Sequence, residues 1–156
     1  LGQIGVFVLM GILMPLGTYY VMSGDLSWEV LLMSLPNAFT ITAVLSGNET
    51  RDYHEDKKAH VGTLPVMSYE NSMRLYLFEN TVGFVILALL IVTEVLPWMC
   101  ALAFITLYDL YILYANSRLA PSDPGNSRLL VPMAFRLNWH FGVLLVIGYL
   151  IAYYIF

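Results

Sequence analysis

Charge is scarce in this sequence. Asp, Glu, Lys and Arg together make up 12% of its 156 residues, about half the share of an ordinary soluble chain. The set AVILMFWYC supplies 59%, and the mean hydropathy is +0.72. A soluble domain this short leaves roughly a third of its unfolded-chain surface in water, and this composition has too few polar side chains to cover it. Lipid is therefore the solvent for most of the chain. Cysteine is nearly absent: Cys100 alone excludes an intramolecular disulfide and any Cys-rich metal site, and it reads as a small apolar residue of a membrane helix. A basic excess is also lacking. The net charge of −4 gives no electrostatic footprint for nucleic acid. There is no internal repeat and no low-complexity tract. The hydrophobic run starting at Leu1 shows no basic segment before it, so it is not expected to be a signal peptide; the expectation is a chain entered partway through a longer protein.

What the sequence does have is long apolar runs. A bilayer core needs about 20 helical residues, and five segments meet that length, at about 4–22, 28–47, 72–94, 97–115 and 137–156. Pro15 is expected to kink the first helix without ending it. Glu79 interrupts the third run and Asp109 the fourth. The predicted fold is an all-α polytopic membrane bundle of five transmembrane helices within one domain, 1–156.

The basic residues orient the bundle. Arg51, Lys57, Lys58 and Arg74 lie in or beside the connection between spans two and three, while Arg118, Arg128 and Arg136 lie between spans four and five. The opposite turns have none. By the positive-inside rule the side with all seven is cytoplasmic, which predicts a multi-pass protein of the cell (inner) membrane. The same side carries the long connections. The one holding Pro121, Pro124, Gly125 and Asn126 reads as turn and lid.

The other connection, 48–68, is where chemistry concentrates. Asn48, Asp52 and Asp56 recur at four-residue spacing, so on a helix continuing out of the membrane they stack on one face. One carboxamide and two carboxylates suit a hard, oxygen-liganded cation such as Mg²⁺, which takes one or two carboxylates plus substrate phosphates. The alternative is a solvated, mixed-charge helix surface. His54 and His60 flank the motif at no zinc-binding spacing and read as solvated.

The run Asn48, Glu49, Thr50, Arg51, Asp52 and Asp56, followed by Thr63 and Leu64, resembles the second aspartate-rich motif of the UbiA superfamily of intramembrane prenyltransferases. Within that superfamily it is most similar to the 1,4-dihydroxy-2-naphthoate polyprenyltransferases of menaquinone synthesis. Pro15 to Tyr20, Gly24 to Glu29, Pro132 to Ala134 and Phe141-Gly142 extend the resemblance over nearly the whole chain. Two departures stand out: Glu49 replaces the second Asn of an Asn-Asn pair, and His60-Val61-Gly62 replaces a Gly followed by basic residues.

The resemblance implies a nine-helix fold of two pseudo-repeated halves, with this chain as the second half. The partner would be an N-terminal half carrying the first aspartate-rich motif. It implies Mg²⁺-dependent transfer of a polyprenyl group from an allylic diphosphate to an aromatic quinone precursor. Asp52 and Asp56 would be metal ligands, Asn48 a ligand or its support, and Arg51, Lys57 and Lys58 contacts of the polyprenyl diphosphate. The two lysines serve equally as topology-setting charge. Within the superfamily the acceptor could instead be a 4-hydroxybenzoate, a tetrapyrrole or a glycerol phosphate lipid. From other classes, an ion-binding transporter half and a non-catalytic subunit are the rivals. Transporter sites usually sit near the midplane, whereas this array is at the membrane edge.

Ionisable side chains inside spans face a cavity or a partner. Glu79 and Asp109 are therefore candidate catalytic residues, lining the aromatic acceptor pocket and taking up the proton lost on rearomatisation; the alternative is interhelical hydrogen bonding. Tyr108, Tyr111 and Tyr114 could flank a carbocation or form an interfacial belt. Tyr153 and Tyr154 read as belt residues, and His140 as interfacial.

Overall fold

The computed structural model describes residues 2–59 and 68–155. Among these residues there is no strand, and five helices are long and apolar enough to cross a membrane. We label the helices α1 (Gly2–Ser23), α2 (Trp28–Ala59), α3 (Tyr69–Val92), α4 (Trp98–Leu119), the short α5 (Pro124–Arg128) and α6 (Leu130–Ile155).

Proline shapes α1 in an unexpected way. Pro15 has no N–H to give the preceding turn, and the helix responds by widening, with a π-helical stretch at Phe7–Leu13 and the Met14 N–H bonded five residues back to the Leu9 carbonyl. Helical structure continues past Pro15 to Ser23. The widened stretch contains Gly11, the one buried residue of α1. A Cβ there would stand 2.4 Å from the Ala38 Cβ, so glycine is what lets α1 lie against α2. Gly24, at φ 81°, caps the rod in the left-handed conformation that favours glycine.

Helix α2 is the hub. It packs on α1, α3 and α6, while α6 also packs on α4 and α4 touches α3. The result is a four-helix arrangement of α2, α3, α4 and α6 with α1 laid on the outside of α2. Gly83 of α3 sits where a Cβ would meet the Pro36 carbonyl at 2.8 Å, and Gly148 of α6 where one would meet the Met99 carbonyl at 2.4 Å. Small residues at crossings are how membrane helices gain contact, because lipid supplies no hydrophobic drive between them. Tyr76, Leu87, Cys100, Leu113, Leu130, Leu137 and Phe141 are completely buried at the centre.

Two boundaries differ from the sequence expectation. Residues 48–59, read as the start of a loop, continue α2 as helix. The extension amounts to about 18 Å of rod beyond the apolar span at 1.5 Å per residue. Helix α6 begins at Leu130, seven residues before the expected 137, because Arg136 does not end it: the arginine turns toward Asp109 on α4, 3.0 Å away.

Candidate functional site

Polar ties between helices gather toward the end of the bundle that carries the basic residues. The Tyr76 hydroxyl donates to the Leu130 carbonyl at 2.8 Å, joining α3 to the start of α6. Thr50 and Ser72 share a 2.6 Å bond between α2 and α3, and Thr40 donates to Asn138 at 2.8 Å between α2 and α6. The Tyr114 hydroxyl pairs with Thr81 at 2.8 Å, joining α4 to α3. In a low-dielectric bundle such bonds fix register, so the helical extension of α2 leaves the membrane in a defined direction.

On that extension Asn48, Asp52 and Asp56 occupy successive turns of one face, as their spacing predicts. Arg51 clasps the first two. Its Nη2 donates to Asn48 Oδ1 at 2.6 Å, while Nε and Nη2 donate to the two Asp52 carboxylate oxygens at 2.7 and 2.6 Å. This bidentate pairing holds the Asp52 carboxyl below the ordinary carboxylate range, against a smaller opposing effect of burial. Asp56 is half-buried. Among the described residues no three His, Cys, Asp or Glu side chains form a group that could hold a metal ion; Asn48, Asp52 and Asp56 are the oxygen donors that the spacing brings to one face.

Asp52 opens onto a cleft of about 420 Å³. One wall is α2, with Arg51, Asp52, His54 and Glu55. The other is Tyr69 at the start of α3 and the α4–α6 connection with its short α5, including Asp123, Ser127 and Arg128. Asn48, Asp56, Lys57 and Lys58 do not line it. Lys57 instead lies over the Tyr53 ring, 5.8 Å from its centroid. His54 is exposed and stacks on Tyr69. His60 and the Val61 to Leu64 stretch of the motif lie outside the described residues.

The two carboxylates inside spans sit apart from this cleft and from one another. Glu79 is buried on α3 and accepts a hydrogen bond from the Ser46 hydroxyl. Gln3 of α1 donates to the same Ser46 oxygen at 2.7 Å and to Glu49 at 3.1 Å. The departure at Glu49 thus has a partner on the neighbouring helix. Asp109 is buried on α4, with one oxygen 3.0 Å from Arg136 and the other 2.6 Å from His140 Nδ1. His140, read as merely interfacial, is therefore half of an interhelical pair. Only contact across 31 positions reveals it. Tyr108 and Tyr111 are 70% and 72% exposed on the outer face of α4, and Tyr111 lines a surface cavity there together with Tyr114.

Comparison with known proteins gives a consistent answer. The profile of the UbiA prenyltransferase family matches residues 1–139. Over 157 aligned residues the chain is 24% identical to a 1,4-dihydroxy-2-naphthoate octaprenyltransferase of Bacillus subtilis (strain 168), covering 98% of this chain and 49% of the relative. It is 34% identical over 65 residues to the protein of that name from Mycobacterium leprae (strain TN), 42% of this chain and 22% of the relative. It is 26% identical over 156 residues to a UbiA prenyltransferase domain-containing protein 1 homolog of Drosophila melanogaster, 95% of this chain and 40% of the relative. The chain thus spans half or less of these relatives' lengths. No solved structure matches at comparable significance.

Proposed function

The chain belongs to the UbiA prenyltransferase family, and we propose from that premise that it forms one half of an intramembrane enzyme. The enzyme transfers a polyprenyl group from an allylic diphosphate to an aromatic quinone precursor of the 1,4-dihydroxy-2-naphthoate type. The acceptor class rests on the names of the relatives. The other half, with a first aspartate-rich motif, would come from the portion of those relatives that this chain does not span. The motif end faces the cytoplasm by the positive-inside rule, and the host is the cell (inner) membrane.

The observation that carries the reading is the register of Asn48, Asp52 and Asp56 on one half-buried helical face, with Asp52 and Arg51 opening onto the cleft. The donor set fits Mg²⁺: the ion is hard, takes oxygen ligands, and commonly needs only one or two protein carboxylates beside phosphates and water. Asp52 and Asp56 would hold it, with Asn48 as a third oxygen. When bound it supplies Lewis-acid neutralisation of the departing diphosphate. The protein's own residues do the rest. Arg51 is poised to exchange Asp52 for phosphate oxygens, since its planar fork suits both, and Lys57 and Lys58 add positive charge along the same extension. The allylic C–O bond breaks with its electron pair remaining on the diphosphate oxygen. The acceptor ring carbon then forms the new C–C bond and gives up a proton. The apolar helix faces below the motif shelter the isoprenoid tail from water. Glu79 and Asp109, each tied across a helix interface, are assigned to holding helices in place.

The test uses the full-length protein in lipid vesicles with Mg²⁺, an allylic polyprenyl diphosphate and 1,4-dihydroxy-2-naphthoate. The expected products are free diphosphate and a prenylated acceptor. 4-Hydroxybenzoate, a tetrapyrrole and a glycerol phosphate lipid serve as competing acceptors. Product with none of the four would overturn the reading.

A further inference from the structure

The cleft beside Asp52 has a second wall that the motif does not account for. Its α2 side offers one guanidinium, Arg51, already committed to Asp52 and Asn48. On the opposite side stands Arg128, which makes no ion pair among the described residues. Residues 60–67 contain no carboxylate that could claim it. The nearest acid in its segment, Asp123, is occupied as the cap of α5, accepting from the Gly125 N–H at 3.0 Å and from Asn126 Nδ2 at 2.5 Å. The segment itself is anchored, because Asn116 of α4 donates to the Asn126 carbonyl at 2.9 Å.

Tyr69 supplies the second observation. It lines the same cleft, and its hydroxyl oxygen is buried with no hydrogen-bond partner among the described residues. The ring is held by stacking on His54, centroids 5.6 Å apart, and by an edge contact with Tyr53 at 5.7 Å. A buried hydroxyl rarely goes without a partner, and one beside a cleft with an uncommitted guanidinium suits an oxygen-rich anion.

We propose that Arg128 and the Tyr69 hydroxyl form a second phosphate anchor, gripping the non-bridging oxygens of the prenyl diphosphate from the wall opposite Asp52. The inference rests on the transferase reading and assigns to the α4–α6 connection a substrate-binding role beyond that of a turn. As the allylic C–O bond breaks and its electron pair stays on the diphosphate, the guanidinium meets the growing charge through charge-assisted hydrogen bonds. Both affinity for the donor and its rate of ionisation depend on it.

The experiment uses the full-length protein in nanodiscs with Mg²⁺, reading kcat/KM for an allylic prenyl diphosphate and competitive inhibition by inorganic pyrophosphate. Arg128→Gln lowers kcat/KM and weakens pyrophosphate inhibition by about ten- to a hundredfold, the loss expected for a hydrogen bond to a charged group. Tyr69→Phe costs about three- to tenfold, and Arg128→Lys regains most of the loss by keeping the charge. Arg74→Gln, whose native guanidinium pairs with Glu70 on the exposed surface of α3, leaves both readings unchanged. Unaltered inhibition in Arg128→Gln, with Asp52→Asn inactive, overturns the anchor and leaves the transferase standing. Equal losses in Arg128→Gln and Arg128→Lys with a lowered unfolding midpoint make Arg128 structural, which also overturns it. If the unaltered protein neither transfers a prenyl group nor binds pyrophosphate, the transferase reading fails and the anchor with it.

Discussion

Asp52 and Asp109 are both aspartates on long helices, both held by an arginine, at 2.6 Å from Arg51 and 3.0 Å from Arg136. What separates them is where the arginine comes from. Arg51 is the chain neighbour of Asp52, on the same helix, and their side chains are about one-third exposed, 34% and 30%. Releasing that pair moves no helix. Arg136 and His140 reach Asp109 from α6, and the Asp109 side chain is only 11% exposed. Releasing that cluster frees α4 from one of its holds on α6. A local ion pair on a half-buried face can break without moving a helix, as the proposed exchange with a diphosphate requires; a cross-helix pair at a buried seam is tied to the packing of α4 on α6.

The largest effect that tests this contrast is on catalysis. Asp52→Asn in the full-length protein should lower prenyl transfer by about three orders of magnitude or more, the scale of removing a metal-holding or charge-stabilising group. The unfolding midpoint should stay near that of the unaltered protein. Asp56→Asn should behave similarly. A drop in stability matching the loss of activity would place Asp52 with Asp109 and erase the distinction.

Next in size is Asp109→Ala. Removing one partner of a fully buried pair costs about 3–5 kcal/mol; since Arg136 and His140 are nearly half-exposed, about 2 kcal/mol is expected here. Denaturant titration in detergent would show it, and activity per folded molecule should survive. If Asp109→Ala kept full stability but lost transfer, the acceptor-pocket role for this residue would return.

How far the sequence foretold this contrast depends on how far apart the partners are along the chain. Five apolar runs set five spanning helices, because length and hydropathy are local properties. The shared face of Asn48, Asp52 and Asp56 was equally legible, being a consequence of helical pitch. The Asp109 cluster was not, since it needs α6 beside α4 and a helix start at Leu130 that the charge of Arg136 disguised. Nor was the α4–α6 connection legible as the second wall of the cleft, because only the packing of α3, α4 and α6 brings Arg128 and Tyr69 around the same space as Asp52. Pro15 was expected to disturb the first helix without ending it, but the widening of the turns before it at Phe7–Leu13, where Gly11 meets Ala38, was not legible.

A smaller effect probes the other intramembrane carboxylate. Glu79 is held by neutral donors, through the Ser46 hydroxyl that Gln3 also supports. Ser46→Ala should cost about 1–3 kcal/mol, the cost of leaving a buried acceptor without its donor, and thermal unfolding would register it. A loss no larger than that of an exposed substitution would mean Glu79 finds another partner.

The smallest expected effect is the most instructive about distance. Glu70 and Arg74 lie 2.6 Å apart, closer than Asp109 and Arg136, yet their side chains are 73% and 71% exposed. Water there screens the attraction, and fixing two long side chains offsets most of what remains, so an exposed pair of this spacing contributes about 0.3–0.5 kcal/mol. Arg74→Gln should shift the unfolding free energy by no more than that and leave prenyl transfer untouched. If it destabilised the protein as much as Asp109→Ala, contact distance would rank these ion pairs better than burial, and the comparison between the open pair and the sealed one would lose its physical basis.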